Sequence, residues 1–190
     1  MFNVTRQENS ALVRDEIMAI VSLVSAIWPH PQKTISELID TFMEQHFGYV
    51  ASHPGVVQPS VRHLVWVDGQ LVGHAFTFER PVILGNSEIS VMALSGVCVS
   101  PSYRRNGIGI ALARDALRRV DDGEFPASVF QTTIPDFYER LSAAVVGNRF
   151  FDSTNEDDPN ASPWTDGCIM SYPSAYLWPT GPIDLNGPGY

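Results

Sequence analysis

The sequence has little cysteine and no long hydrophobic run. Its two cysteines, Cys98 and Cys168, are too few for a disulfide scaffold and match no zinc-site spacing, so we expect free thiols in a reducing compartment. The longest apolar candidate, residues 17–28, is interrupted by serines and is shorter than the roughly 18 residues of a membrane span. The first residues lack a signal-peptide pattern. We therefore expect a cytoplasmic protein that has no membrane partner.

Basic residues are also scarce. The chain has 12 lysines and arginines against 21 aspartates and glutamates, a net charge of −9, which argues against a nucleic-acid partner because such binders need a basic face. The few basic residues are unevenly distributed. One short stretch contains Arg104, Arg105, Arg114, Arg118 and Arg119, and its only acidic residue is Asp115. For the later arginines, a solvated helix face is the simpler interpretation.

Apolar residues are plentiful, at 44% of the 190 residues against 17% charged. A chain of this length buries roughly 70% of its extended surface on folding, which is enough for one core without cross-links. We expect a single domain over residues 1–172. Residues 173–190 contain four prolines and three glycines among apolar residues, and we expect them to form an extended strap docked on that domain.

The apolar periodicity predicts alternating strands and helices. Asn9 or Ser10 is expected to cap a first helix that ends before Pro29, and Thr34 with Glu37 has the capping-box pattern for a second helix. The order β-α-α-β-β-β-α-β-α-β-β indicates a mixed α/β fold with an open sheet. The predicted strands cover 2–6, 64–66, 70–79, 88–99, 127–133, 149–153 and 168–172. The first helix is predicted over 10–27, and two later helices over 107–120 and 136–145. Residues 48–60 are predicted to form a loop.

One segment carries a chemical signal. Residues 94–109 run from a buried strand through a short loop into a helix whose first turn contains Gly107 and Gly109. A helix N-terminus exposes unpaired N–H groups and about half a positive charge, and glycine lets an anion approach that backbone closely. Arg104 and Arg105 add charge that matches phosphate oxygens. The segment therefore suits the binding of a phosphate or pyrophosphate. The alternative interpretation of the same residues is a tight turn with solvated arginines.

The same segment resembles the acyl-CoA signature of the GNAT acyltransferase superfamily, Q/R-x-x-G-x-G/A, with Arg104, Gly107 and Gly109 at its fixed positions. The predicted order of elements resembles that family too. Further on, residues 136–141 are similar to the family's later helix, in which a tyrosine lies near the thioester sulfur; here that residue is Tyr138. The resemblance implies a mixed, mostly antiparallel central sheet with helices on both faces, and acetyl-CoA or another acyl-CoA as co-substrate.

The end of the chain resembles a narrower group. Residues 178–188 are similar to the C-terminus of the nodulation N-acyltransferases, which acylate a glucosamine amine. The related aminoglycoside 2′-N-acetyltransferases end in an aromatic residue, as Tyr190 does here. This resemblance implies an amino sugar or a similar small amine as acyl acceptor.

The family resemblance also implies a role for each residue of the motif. Backbone groups of Val97 and Val99 would hold the pantetheine arm like an added strand and polarise the thioester carbonyl, an oxyanion-type role. The simpler interpretation of both valines is strand core. Arg104 would begin the motif. The N–H groups that would face the pyrophosphate of coenzyme A belong to Arg105, Asn106, Gly107, Ile108 and Gly109.

Tyr138 is the candidate general acid, because a phenol of pKa about 10 stays protonated at neutral pH and can donate to a leaving thiolate of pKa about 8.5. The alternative is an aromatic side chain that only packs on its helix. The general base stays open, since the aminoglycoside branch has a glutamate where this chain has Ser95. The replacements that could act through water are Glu79, Glu88, Asp184 and the Tyr190 carboxylate.

These residues predict an acyl-CoA-dependent N-acyltransferase that moves an acetyl group to the primary amine of a small molecule by direct attack on the thioester. The alternatives are a non-catalytic acyl-CoA-binding or regulatory domain, long-chain acyl transfer from a carrier protein, and acetylation of a protein. We expect no metal, because no spacing of His, Cys and Asp matches a metal site. His74 is expected to be structural, and a homodimer is left open.

Overall fold

The computed structural model describes residues 2–52 and 60–190. The mixed α/β class with a mostly antiparallel open sheet is confirmed, because five of the described strand pairings are antiparallel and two are parallel. The strands are β1 Val4–Glu8, β2 Val61–Val67, β3 Gln70–Leu84, β4 Ser87–Val99, β5 Ser128–Thr132, β6 Ala144–Val145, β7 Phe150–Phe151, β8 Cys168–Tyr172 and β9 Ile183–Asp184. The helices are α1 Arg14–Ile27, α2 Ile35–Ser52, α3 Ile108–Asp121 and α4 Pro135–Glu139, with 3-10 turns at Asn9–Ala11 and Pro101–Tyr103.

The chain forms two compact units. The first unit comprises Met1–Thr77 and Gly96–Ala116, and the second comprises Phe78–Ser95 and Leu117–Tyr190. The elements β3, β4 and α3 contribute residues to both units. The expectation of one domain over residues 1–172 stays a prediction.

The first unit contains three antiparallel strands in the order β1-β2-β3. The β2–β3 hairpin turns at Asp68 and Gly69, as predicted, and both residues have the positive φ that a two-residue hairpin turn needs (49° and 77°). Helices α1 and α2 contact each other and contribute apolar side chains to one core. The buried members of that core are Leu12, Ile17, Ile20, Val21, Leu23, Leu64, Leu71 and Cys98.

The start of α1 differs from the prediction. Asn9 and Ser10 lie in a 3-10 turn, and the helix begins at Arg14. The Glu16 carboxylate accepts a hydrogen bond from the Val13 N–H (3.0 Å) and so takes the role of the cap. The Asn9 side chain is engaged elsewhere, by the buried Arg62. A long-range contact therefore overrides a local capping preference.

The capping box of α2 is confirmed. The Thr34 N–H donates to the Glu37 carboxylate (2.7 Å), and the Glu37 N–H donates back to the Thr34 hydroxyl (3.3 Å). The Thr34 N–H and the Thr34 hydroxyl both donate to the Glu37 carboxylate, and these two bonds lower the pKa of Glu37 because they favour its ionised form. The helix continues to Ser52, so the loop predicted from residue 48 begins too early, and its residues 53–59 lie outside the described part of the chain.

The second unit contains a mixed sheet in the order β4-β5-β8-β6. The β4–β5 pair is parallel and the other two pairs are antiparallel. Strand β9, within residues 173–190, pairs with β7 and with Ile83 of β3, and Ile183 and Leu185 are fully buried. The Tyr190 hydroxyl donates to the Val129 carbonyl (2.9 Å). The core of this unit contains Val82, Val91, Val129, Phe150, Trp164, Ile183 and Leu185.

The helix predicted over 136–145 is wrong beyond its first turn. Helix α4 ends at Glu139, and the N–H groups of Leu141 and Ala143 both donate to the Tyr138 carbonyl (2.9 and 3.0 Å). Ser142 has a left-handed φ of 66°, which a continuing helix does not allow. The next two residues then pair with β8 as strand β6. Edge pairing on the sheet therefore outweighs the helical preference of this short apolar run.

Candidate functional site

The turn between β4 and α3 has two residues in the left-handed region. Arg105 has φ 66° and Gly107 has φ 80°. Left-handed residues in such a turn bring successive N–H groups to one side and form a concave binding site for an anion. A Cβ at Gly107 would meet nothing within 4 Å, so glycine is needed here for its φ and not for lack of space.

Helix α3 begins directly after this turn. Its first hydrogen bond runs from the Ala111 N–H to the Gly107 carbonyl (3.0 Å). The N–H groups of the first helical residues, Ile108 and Gly109, therefore precede the intrahelical bonds and remain available to a ligand. Ile108 is buried, whereas Arg104 and Arg105 are exposed beside the same turn. The turn and the helix N-terminus together present N–H groups and positive charge on one short segment.

Strand β3 fixes the position of this helix start. A Cβ on Gly73 would lie 2.9 Å from both the Ile108 Cγ2 and the Leu112 Cδ1 atoms, so only glycine lets the first turns of α3 approach the strand this closely. The Ser100 N–H also donates to the Val72 carbonyl (2.8 Å) and holds the loop that follows β4. The turn is therefore supported from β3.

Arg104 contacts the end of β4. Its Nε donates to the Val99 carbonyl (3.1 Å), so the guanidinium stays at the junction of strand and turn. A carbonyl oxygen has two lone pairs, and the one that Arg104 leaves can still accept a hydrogen bond from a ligand amide. The neighbouring Cys98 is buried, and burial raises its pKa to about 12, so it stays a thiol and is no nucleophile.

Strand β4 is kinked at Gly96, immediately before Val97. Gly96 has φ 58°, a conformation that marks bulges when it occurs within a strand. Met92 and Ala93 of β4 pair with Ser128 and Val129 of β5 in a parallel ladder. The kink at Gly96 comes after these paired residues in the sequence. A bulge changes the direction of the backbone after it. The direction of the Val97 N–H therefore depends on the geometry of Gly96.

His74 of β3 holds this kink. Its Nδ1 lies 2.9 Å from the Gly96 carbonyl oxygen, and its Nε2 lies 3.1 Å from Nη1 of Arg62. Arginine has only donors, so Nε2 accepts, the proton is on Nδ1, and Nδ1–H donates to Gly96. Burial and the nearby Arg62 charge lower the pKa of His74 to about 3. His74 is thus a neutral, buried residue with a fixed tautomer.

Arg62 is held in place by Asn9 and Phe76 as well as by His74. Its Nε donates to the Asn9 side-chain oxygen (2.9 Å), and its guanidinium carbon lies 3.6 Å from the centre of the Phe76 ring. Burial lowers the pKa of Arg62 to about 9, which leaves it charged at neutral pH. The chain of bonds from Arg62 through His74 to Gly96 was missed in the sequence, although a glycine within a predicted strand is a signal for a bulge.

The side chains of Asp115, His63 and Thr77 are connected in the order carboxylate, imidazole, hydroxyl, as in a catalytic triad. The His63 ring bridges the Asp115 carboxylate (2.7 Å) and the Thr77 hydroxyl (3.0 Å). His63 and Thr77 are fully buried, however, and the Thr77 hydroxyl donates to the Val61 carbonyl (3.3 Å). Burial would raise the pKa of Asp115, but hydrogen bonds from His63 and Arg6 lower it to about 2. This cluster stabilises the first unit and offers no accessible nucleophile.

Tyr138 lies in α4 of the second unit and is 6% exposed. Its ring centre is 4.6 Å from that of Phe130 and 4.9 Å from that of Phe137. Burial raises the pKa of Tyr138 to about 12, so the phenol stays protonated at neutral pH and can donate a hydrogen bond to an anion. Its role as general acid stays a prediction.

Two candidates for the general base already accept hydrogen bonds. Asp184 is 6% exposed and accepts from the N–H groups of Ser153 (3.0 Å) and Asn186 (2.9 Å). Although burial favours its neutral form, these bonds keep the pKa of Asp184 below its usual value. Glu79 is exposed and accepts a hydrogen bond from the Ser90 hydroxyl. The identity of the base stays open.

The later arginines of the basic stretch differ in their exposure to solvent. Arg114 and Arg118 are exposed on α3. The expectation of a solvated face is wrong for Arg119, which is 2% exposed and pairs with Glu124 through Nε (2.8 Å) and Nη2 (2.7 Å). Only part of the cluster can therefore serve a ligand.

Within residues 2–52 and 60–190, the structure has no group of three or more His, Cys, Asp or Glu side chains that could hold a metal ion. No helix in this part of the chain combines the length and the apolar character needed to cross a membrane.

Comparisons with solved structures show the same fold in several acyltransferases. An acyl-CoA N-acyltransferase from Pseudomonas aeruginosa superposes with a TM-score of 0.57 at 16% identity over 90% of this chain and 99% of its own. Escherichia coli ElaA gives 0.54 at 17% identity, again over 90% and 99%. A GCN5-related N-acetyltransferase from Kribbella flavida gives 0.56 at 16% identity over 76% of this chain, which spans only 33% of that longer protein.

A family model places the chain more firmly. Residues 11–146, which include the whole β4–α3 turn and Tyr138, match the model described as acetyltransferase (GNAT) domain. No curated protein matches the chain. Since the match covers more than half of the 190 residues, the chain belongs to the GNAT acetyltransferase family.

Proposed function

We propose that this protein is an acyl-CoA-dependent N-acyltransferase that acetylates a primary amine of a small molecule. The observation that carries the proposal is the β4–α3 turn, in which left-handed Arg105 and Gly107 precede the free N–H groups of α3. This turn lies inside the part of the chain that matches the family model. A diphosphate is the ligand chemistry that such a turn fits best.

The residues of the turn fit the proposed co-substrate. The N–H groups of residues 105–109 would bind its diphosphate, with Arg104 and Arg105 supplying charge. Backbone groups of Val97 and Val99 would hold its pantetheine arm, and the kink at Gly96 sets the direction of the Val97 N–H. Acetyl-CoA supplies a thioester whose acyl carbon an unprotonated amine can attack directly, with the coenzyme thiolate as leaving group.

The chain's own residues then have two tasks. The Val97 N–H would stabilise charge that develops on the carbonyl oxygen, and such a donor contributes about 3 kcal/mol in other enzymes. Tyr138 keeps its proton at neutral pH because burial raises its pKa to about 12, so it can donate a hydrogen bond to the thiolate. No covalent enzyme intermediate is needed, which agrees with the absence of an accessible nucleophile among the described triad-like residues.

An amino sugar or an aminoglycoside-like amine is the proposed acceptor. A net charge of −9 favours a cationic small molecule over an anionic one. The loop between β7 and β8 adds local acidity through Glu156, Asp157, Asp158 and Asp166. The similarity of residues 178–188 to enzymes that acylate a glucosamine amine supports the same class.

Titration of acetyl-CoA into the wild type and into Gly107→Val, followed by calorimetry, tests the turn. The variant forces a β-branched residue to φ 80°, so the N–H groups move and Kd should rise roughly tenfold or more. Gly123→Val is the matched control, because Gly123 has φ 79° and equally open surroundings after α3. Equal loss of binding in both variants, or no heat with the wild type, would refute the diphosphate site.

Turnover separates the enzyme from a binding domain. Thiol release from acetyl-CoA is measured over a panel of amino sugars, aminoglycosides and simple amines. Amine-dependent release supports the proposal, and the amine with the highest kcat/KM identifies the acceptor class. Binding of the coenzyme without turnover on any amine would instead favour a regulatory acyl-CoA-binding domain.

A further inference from the structure

A cleft of about 230 Å³ lies at one edge of the second unit's sheet. It is bounded by β6 and the residues that follow it as far as Asn148, by Ser171 of β8, and by residues of the segment 173–178. None of its lining side chains is charged. The proposed function assigns no task to this cleft.

Ser171 and Ala144, which line the cleft, lie on the opposite face of the sheet from Tyr138. Ser171 pairs with Val129 of β5 and with Ala144 of β6, so the three side chains share one face. Tyr138 packs on Phe130, the next residue of β5, and successive side chains of a strand point to opposite faces. Tyr138 is not among the residues that line the cleft.

Two residues that line the cleft each carry a buried polar group that has no hydrogen-bond partner in the described part of the chain. One is the hydroxyl of Ser171, which is 4% exposed, and the other is the indole N–H of Trp178. Nearly all buried polar groups in proteins are paired, because an unpaired one destabilises the fold. Because two such groups belong to residues that line one cleft, the cleft suits a ligand with hydrogen-bonding groups.

The wall of the cleft is aromatic and its rim is tied down. The rings of Tyr176 and Trp178 meet edge to face with centres 5.0 Å apart. At the rim, the Asn148 side chain donates to the carbonyls of Pro179 and Gly181, both at 2.8 Å. These bonds hold the segment after β8 in place, so the cleft exists before a ligand arrives.

We propose that this cleft binds one neutral sugar ring. The C–H groups of a sugar pack well on aromatic side chains such as Tyr176 and Trp178, and its hydroxyls can pair with the Ser171 hydroxyl and the Trp178 N–H. A charged ligand would stay unpaired here, which is unfavourable in a partly buried site. The volume is below the roughly 300 Å³ at which clefts for drug-sized ligands begin, so it suits a single ring.

Methyl glycosides of common hexoses and of N-acetylglucosamine are the probes, titrated into the full chain and followed by NMR of the tryptophan indole N–H signals. The Trp178 signal is identified by its loss in Trp178→Phe. We expect saturable shifts of that signal with at least one glycoside. Trp178→Phe keeps an aromatic wall but removes the donor, so calorimetry should show roughly tenfold weaker binding or worse.

Ser171→Ala should weaken glycoside binding by a similar factor without lowering the melting temperature, because it removes an unpaired hydroxyl. The matched control is Ser128→Ala. The Ser128 hydroxyl is also buried and without a partner among the described residues, but Ser128 precedes Val129 on β5 and therefore faces the other side. Ser128→Ala should leave binding unchanged.

Two results would overturn the proposal. One is that no glycoside shifts any indole signal up to its solubility limit. The other is that Ser171→Ala and Ser128→Ala weaken binding equally, which would mean that the effect comes from the fold and not from the cleft. The titrations contain no acetyl-CoA, so their outcome is independent of whether the protein proves to be an acyltransferase.

Discussion

The hydrogen bond from His74 to the Gly96 carbonyl determines where one backbone donor points. Arg62 lies behind the histidine and fixes its tautomer. A Cβ on Gly96 would approach the His74 ring to 3.3 Å, so ring and glycine are matched in shape as well as in hydrogen bonding. Through this contact, two buried residues affect the direction of the Val97 N–H.

Replacement of His74 should therefore change kcat more than binding. In His74→Leu the Gly96 carbonyl loses its donor and Arg62 loses its acceptor, and we expect kcat to fall roughly tenfold while KM for acetyl-CoA changes little. His74→Asn keeps a donor near the Nδ1 position and should recover part of kcat. The measurement is steady-state kinetics per coenzyme-binding site counted by calorimetry. An unchanged kcat per site, together with fewer sites, would mean that His74 only stabilises the fold.

Tyr138→Phe isolates the proposed proton donor. The ring contacts with Phe130 and Phe137 are kept, so the fold and coenzyme binding should be unaffected, while kcat should fall roughly 100-fold because general acid catalysis is lost. Tyr172→Phe is the control, since that hydroxyl donates to Asp121 (2.7 Å) and burial raises the pKa of Tyr172 to about 12 as well. An unchanged kcat in Tyr138→Phe would exclude the acid role.

The residues of the turn could be predicted because their signal is local. Arg104, Gly107 and Gly109 lie within six positions, and the physics of a helix N-terminus needs no knowledge of the rest of the chain. Gly73 and His74 could not be predicted in their roles. Their partners Arg62, Gly96, Ile108 and Leu112 are 12 or more positions away, and only the pairing of strands and the packing of α3 bring them into contact.

At the level of elements, helix α3 and the short strands β5 and β8 were predicted well, whereas the elements predicted between residues 136 and 153 were not. The predicted α3 over 107–120 and the observed Ile108–Asp121 differ by one residue at each end, because a long amphipathic pattern has one satisfactory arrangement. The predicted helix 136–145 is shortened to α4 because Ala144 and Val145 pair instead with Ser171 and Met170 of β8. The predicted strand 149–153 likewise shortened to Phe150–Phe151, which pairs with β9.

The packing of α3 on β3 makes a prediction at the element scale. Gly73→Ala places a methyl group 2.9 Å from Ile108 and Leu112, so the first turn of the helix must shift. We expect a loss of about 1–3 kcal/mol in unfolding free energy and weaker coenzyme binding, measured by urea denaturation and calorimetry. Gly147→Ala is the control, because a Cβ there meets nothing within 4 Å. Unaltered binding in Gly73→Ala would show that α3 is not positioned by this contact.

For the molecule as a whole, acid stability depends on groups that are held in one protonation state. Asp115 has its pKa lowered to about 2, so the stability it contributes is present above about pH 4 and is lost as the pH falls toward 2. His74 has its pKa lowered to about 3, against an ordinary value of about 6.5. Between pH 6.5 and pH 3 the His74 ring takes up a proton only in the unfolded chain. The contribution of His74 to the unfolding free energy therefore begins to fall near neutral pH as the solution is made more acidic.

The two contributions can be separated because His74 acts over a range in which Asp115 stays ionised. From pH 6 down to pH 4.5, His74 should lower the unfolding free energy of the wild type by a contribution that approaches about 1.4 kcal/mol per pH unit. His74→Asn cannot take up that proton, so its slope should be smaller by about one proton, even though its stability at pH 7 is lower. Urea denaturation of both proteins at several pH values measures the two slopes. Parallel curves would mean that His74 is protonated within the folded protein, and the donor to Gly96 and the acceptor for Arg62 would then have to be reassigned.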